Sequence, residues 1–157
     1  TNIPYTFLKN SVYFDEIKHD INSAIKTGVL VSTTGNKPFN YVLRNDLALV
    51  NATVLSEEGH ENKAYYLTRE QTTTYSELAE ILSEITGKTI TYKEETEENT
   101  IQNLIDFGMK KDYAESFVTL FQGAIRKEQF TTTSDDVVKL IGDQKNNLKE
   151  SLKKIID

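Results

Sequence analysis

The sequence predicts an α/β fold in which strands alternate with helices and a cluster of helices closes the chain. Three observations carry this reading. Runs rich in β-branched and aromatic residues, such as residues 3–9 and 64–68, alternate with stretches whose apolar residues recur at helical spacing. Isolated glycines stand where those helices need to stop, as at Gly28 and Gly87. Beyond residue 93 only helical periodicity remains.

Taken in order, residues 3–9 read as a strand, with Pro4 near the start where a strand tolerates it. Ile17, Ile21, Ala24 and Ile25 then mark a helix over 13–27, with Gly28 as its C′ residue. Residues 29–33 and 39–44 read as two strands around a turn at 34–38. Asp46 reads as the cap of a helix reaching Ser56, with Leu47, Val50, Val54 and Leu55 on its buried side, and Arg44 as a structural residue. A turn at 59–62 leads to a strand at 64–68. Thr74-Tyr-Ser-Glu77 has the form of a capping box, in which the threonine hydroxyl accepts from the N3 amide and the glutamate reaches back. Leu78, Ile81, Leu82 and Ile85 form the stripe behind it, Gly87 ends that helix, and residues 89–93 give a short strand.

The remainder reads as helices. The acidic run 94–98 suits a helix start, where carboxylates complement the dipole, better than a metal site. Ile101, Leu104 and Ile105 mark one helix before Gly108. Asp112 and Glu115 open another, with Phe117, Val118, Phe121 and Ile125 on one face. Ser134 to Val137 open a third that ends at Gly142, and Leu148, Leu152, Ile155 and Ile156 belong to the last.

Composition excludes several classes. The chain has 157 residues, enough for one real core, with 38% hydrophobic and 27% charged residues. Its 24 acidic against 18 basic residues leave a net charge of −6, so no nucleic-acid or membrane partner is expected. There is no cysteine, which removes disulfides, thiolate zinc sites and cysteine nucleophiles. The two histidines, His19 and His60, lack metal-ligand spacing. No stretch is long and apolar enough for a membrane span, and a cytoplasmic location is the expectation. No methionine precedes Thr1, so the sequence reads as processed or as a piece of a longer protein.

Tyr5-x-x-x-Lys9 has the spacing of a dehydrogenase Tyr/Lys pair, but that pair works on a helix, where one turn brings the two side chains together. On a strand the two positions lie roughly 13 Å apart, so both read as framework. The seven glycines are isolated and form no G-x-G-x-x-G pyrophosphate cradle, and no G-x-S-x-G elbow is present.

Several stretches nonetheless resemble a known family. They are Ile3-Pro-Tyr-Thr-Phe-Leu-Lys-Asn-Ser-Val-Tyr-Phe14, Arg44-Asn-Asp-Leu-Ala48 and Glu58-Gly-His-Glu-Asn-Lys-Ala-Tyr-Tyr-Leu67, continued by Thr73-Thr-Tyr-Ser-Glu-Leu-Ala79 and Thr86-Gly-Lys-Thr-Ile-Thr-Tyr92. Together they resemble the C-terminal half of NmrA-like proteins, the atypical short-chain dehydrogenases that include NAD(P)H-dependent quinone oxidoreductases and triphenylmethane reductases. The resemblance covers nearly the whole chain.

It implies that residues 1–157 form the C-terminal, substrate-side part of a Rossmann-like NAD(P)-binding fold, with a helix-rich subdomain and without the dinucleotide-binding half. Residues 5–9 would be the sixth strand of the sheet, and residues 10–14 the loop at its carboxyl end. Asn10 is then expected to contact nicotinamide and substrate, with Tyr13 and Phe14 as aromatic walls; the competing reading packs both rings under the helix. No catalytic or metal-binding residue is assigned. The complete protein would use NADP or NAD to reduce a small molecule, quinone-like or aromatic, while this chain alone would bind no cofactor tightly and be inactive. The alternatives are a non-enzymatic dinucleotide sensor and an interaction domain. A cut sheet also exposes an apolar edge, which makes a homodimer an expectation.

Overall fold

The computed structural model describes residues 3–142 and 148–156. Strand β1 (Thr6–Asn10) runs almost directly into the two-residue β2 (Val12–Tyr13). A 3-10 turn, Phe14–Ile17, feeds helix α1 (Lys18–Thr27), which stops at Gly28 with φ 78° and the Gly28 amide bonded to the Ala24 carbonyl at 2.8 Å. A side chain at that φ would be strained, so glycine ends the helix without penalty. Strands β3 (Val29–Ser32) and β4 (Tyr41–Val42) follow, then α2 (Arg44–Ser56) and β5 (Lys63–Leu67). Helix α3 (Tyr75–Thr86) leads to β6 (Thr91–Glu94). The helical part comprises α4 (Glu97–Asp106), α5 (Lys111–Ser116), a π-helical segment Phe117–Gln122, α6 (Gly123–Arg126), α7 (Asp136–Ile141) and α8 (Leu148–Ile156).

All three strand pairs among the described residues are parallel. β1 pairs with β5 from Thr6 opposite Lys63 to Asn10 opposite Leu67. β2 pairs with β4, and β3 with β6. The strands flanking residues 34–38 therefore make no hairpin with each other. Parallel partners need a crossover, and here each crossover contains a helix. Phe39 instead forms an antiparallel bridge to Thr73.

Two apolar clusters hold the elements. The larger joins Ile17, Ile21 and Ala24 of the α1 side to Tyr75, Leu78 and Leu82 of α3, with Phe117, Val118, Leu152 and Ile155 from the helical part. The smaller packs Leu47 and Val50 of α2 against Leu67 and Val137. The capping box forms as its sequence implies: Thr74 Oγ1 accepts from the Glu77 amide at 3.2 Å, and Glu77 accepts from the Thr74 amide at 2.9 Å. Thr96 caps α4 by accepting from the Asn99 amide, so the acidic run does open a helix.

Two expectations for α2 are corrected. Asp46 is no cap, because the N-cap position is Leu43; the carboxylate lies buried and pairs with Arg69 at 3.4 Å. Leu55 is 87% exposed, since the helix turns it away from the sheet that Val50 covers.

The β1–β5 pair is open on one side. Phe7, Lys9 and Tyr66 share one face by strand alternation, and Phe7 is 56% exposed with the Tyr5 ring tilted against it at 4.7 Å. The outer edge of β5 is closed where the Tyr66 amide donates to Asp136 at 2.7 Å. Among the described residues, β1 has no strand on its other side. No described helix is long and apolar enough to cross a membrane.

Candidate functional site

Parallel strands place all their carboxyl ends at one side of the sheet, where open α/β folds take their ligands. Here the Ser11 amide donates to the Leu67 carbonyl at 3.1 Å, continuing the β1–β5 ladder one residue past Asn10. The chain then turns into β2 and the 3-10 turn. An open groove of about 250 Å³ lies at this tip, lined by Asn10, Ser11, Val12, Tyr13, Glu16, Phe121 and Phe130.

Asn10 Nδ2 donates to the Tyr13 phenol oxygen at 3.4 Å, so two of the three expected site residues meet. The Arg44 guanidinium sits over the Tyr13 ring, 5.5 Å from its centroid, and pairs with Glu16 at 3.2 Å and Asp15 at 3.7 Å. Tyr113 of α5 donates to the other Glu16 oxygen at 2.8 Å. That bond to a carboxylate, with some burial, keeps the Tyr113 phenol above its ordinary range. Glu16 is consequently held from two sides and links the strand tip to the helical part.

Phe121 and Phe130 form the far wall. Phe121 stacks on Phe117 at 5.0 Å and faces Phe130 at 6.3 Å, and the Phe130 carbonyl accepts from the Asn40 amide at 2.6 Å. Offset and tilted rings of this kind offer flat apolar faces to a planar guest. Asn10 and Ser11 add the few polar groups that orient a ligand in such a site.

Phe14 does not join this wall. It is fully buried and stacks on Tyr41 at 4.2 Å, because the 3-10 turn directs its ring into the core. Lys9 is also accounted for: its ammonium lies 3.0 Å from the Tyr66 hydroxyl and over that ring, its register partner on β5.

Sequence reading missed Glu16 and Phe130 and read Phe121 as core. One signal was available, a polar Gln122 inside the apolar stripe of Phe117, Val118 and Ile125, which marks a segment with a second task. A larger cleft of about 850 Å³ opens beyond β4 and β5 beside Asp46, Arg69, Thr73 and Ile81, under a rim carrying Glu80 and Glu84. Its walls are mostly acidic, and the two cations among its described lining residues are paired, Arg69 with Asp46 and Lys149 with Glu84.

No family model matches the chain. It is 30% identical to quinone oxidoreductase 2 of Escherichia coli over 152 residues, 97% of this chain and 53% of that protein. Triphenylmethane reductase of Citrobacter sp., solved with NADP(H), superposes with a TM-score of 0.90 at 41% identity over 98% of this chain and 54% of that one. The Escherichia coli quinone oxidoreductase solved with NADPH gives a TM-score of 0.86 at 28% identity over 99% of this chain and 55% of that one. The chain spans about half the length of the relatives it matches. Its fold is the C-terminal part of a Rossmann-like NAD(P)-binding fold with a helix-rich subdomain. In sequence and in fold the chain matches the C-terminal half of quinone oxidoreductase and triphenylmethane reductase members of the NmrA-like family of atypical short-chain dehydrogenases.

Proposed function

We propose that this chain is the substrate-side portion of an NAD(P)H-dependent oxidoreductase that reduces a quinone-like or aromatic acceptor. The observation that carries the reading is the groove at the tip of β1 and β2, with Tyr13, Phe121 and Phe130 as flat walls and Asn10 at its mouth.

Of a bound dinucleotide, the residues present fit the nicotinamide end alone. The exposed carboxamide of Asn10, at the carboxyl end of a parallel strand, has the donor and acceptor that a nicotinamide amide pairs with. No Gly-rich strand-to-helix turn is available for the pyrophosphate, so that part of the cofactor site belongs to a second, N-terminal portion. The unpaired edge of β1 and the uncovered face of Phe7 and Tyr66 are where such a portion would add its strands, because parallel sheets are covered on both faces.

The cofactor would supply the hydride. The work left to this chain is to stack the acceptor between aromatic faces, to orient one polar edge through Asn10, and to keep water off the reacting face.

The test is NADPH oxidation by the complete protein with a panel of quinones and aromatic dyes. Turnover with at least one acceptor is expected, and N10A should reduce kcat/KM about tenfold, the effect of losing one oriented hydrogen bond. Binding of NADPH without turnover of any acceptor would replace the enzyme reading with that of a dinucleotide sensor. Tight NADPH binding by this chain alone, measured by calorimetry, would refute the assignment of the cofactor site to a second portion.

A further inference from the structure

We propose that Gln122 is a positioning residue, which holds a π-helical turn in register so that Phe121 stands as a wall of the groove. The inference rests on the functional reading of that groove.

The π-helical segment Phe117–Gln122 interrupts a run of α-helix between α5 and α6. Such segments are rare, and most occur as single turns within α-helices, frequently at functional sites. An i→i+5 turn holds one residue more than the α-helical turn, so relaxation to α-helical bonding would rotate the two flanks against each other by about 100°. Something in the fold must therefore hold the wider turn in place.

Gln122 supplies the hold. Its side chain is fully buried, where an unpaired amide would be costly. The Oε1 atom accepts from the Thr33 amide at 2.8 Å and from the Thr33 hydroxyl at 3.0 Å, and Nε2 donates to Asp20 at 3.5 Å. One turn later Arg126 donates to the Thr33 carbonyl at 3.0 Å. Every polar group of Thr33, just past the end of β3, is thus bound by this helical run. The azimuth of the π turn is set from α1 and β3, elements that do not touch the groove.

Phe121 precedes Gln122 directly. It is half-buried, stacked on Phe117 and turned toward Phe130, so its ring position follows from where Gln122 is pinned. Loss of the pin frees the turn to relax, and the aromatic wall moves while the apolar face of the helix remains.

The experiment compares Gln122→Leu, close in size and without hydrogen bonds, with the unsubstituted protein. In this chain, ring–ring NOEs between Phe121 and Phe130 should be lost in Q122L while unfolding stays cooperative; their survival overturns the proposal. In the complete protein, KM for an aromatic acceptor such as menadione should rise about tenfold, with KM for NADPH unchanged. The same substitution placed on Phe121→Ala should add nothing to that KM, and full additivity would also overturn the proposal. If Q122L does not fold, Thr33→Val, which removes one of the bonds to Oε1, carries the same NOE measurement with the same two outcomes. Loss of the NOEs with an unchanged acceptor KM would leave the positioning role standing and sink the reading of the groove as the acceptor site.

Discussion

The Tyr75 phenol donates a 3.0 Å hydrogen bond to Oδ2 of Asp20, and both side chains are buried between α3 and α1. Burial pushes the Asp20 carboxyl up to about 7, although its bonds from Tyr75 and Gln122 oppose the rise. Burial and the neighbouring Asp20 also push Tyr75 well above its ordinary range, so it donates throughout the neutral region.

The first prediction concerns pH. The unfolded chain loses the Asp20 proton near 3.8 and the folded chain near 7. Between those values the folded state holds a proton that the unfolded state has lost, so stability falls as pH rises through this window. The full loss above neutrality is on the order of 4 kcal/mol. The groups facing Asp20 are Tyr75 and Gln122, with Tyr92 acting through Tyr75. D20N should remove most of this slope and be the more stable protein at about pH 8, as read by urea unfolding at about pH 5 and about pH 8. An unchanged slope in D20N would sink the idea.

The second separates packing from wall. Phe14 is fully buried against Tyr41, so F14A should cost about 3–5 kcal/mol in denaturant unfolding. F14L should keep acceptor KM in the complete protein within about twofold, because no part of the ring reaches the groove.

The third tests local structure. T74A removes the hydroxyl that accepts from the Glu77 amide and should lower stability by about 1 kcal/mol without altering acceptor kinetics. A loss below the error of the unfolding measurement would mean that the box adds nothing to α3.

The fourth addresses the open face of β1. At micromolar concentration this chain should self-associate in sedimentation, and F7D should return it to a monomer. Phe7 is more than half exposed, so the same change should move unfolding stability by no more than about 0.5 kcal/mol. A wild-type chain that sediments as a monomer would remove this face as a docking surface.

How far the sequence discloses the molecule depends on how local each determinant is. The Thr74–Glu77 box, the stop at Gly28 and the periodicity of α3 are readable because both partners lie within one helical turn. Asp46 reads as a cap for the same reason, since an acid near a helix start is the local pattern; its actual partner, Arg69, arrives from the end of β5. Asn10 and Tyr13 are expected at the strand tip only through the family resemblance, and Phe14 beside them goes inward because of a 3-10 turn that no periodicity announces. Phe121 and Phe130 reach the groove only because the helical part folds back over β2, and the π turn that aims Phe121 is fixed by Thr33 and Asp20, far away in sequence. Long-range hydrogen bonds are what single-sequence patterns leave out.

The all-parallel pairing has a consequence for synthesis. Within these pairs β1 waits for Lys63 and its neighbours, β2 for Tyr41, and β3 for Thr91. Each of the three strands thus leaves the ribosome before the partner it takes here, and β1 and β3 wait longer than β2. Such non-local contacts slow folding and prolong the exposure of unpaired edges. Helix α1, which closes at once on Gly28, is the segment with local structure to hold while β3 waits, so nascent-chain aggregation, rather than the stability of the finished fold, is where substitutions in β1 and β3 should first be felt.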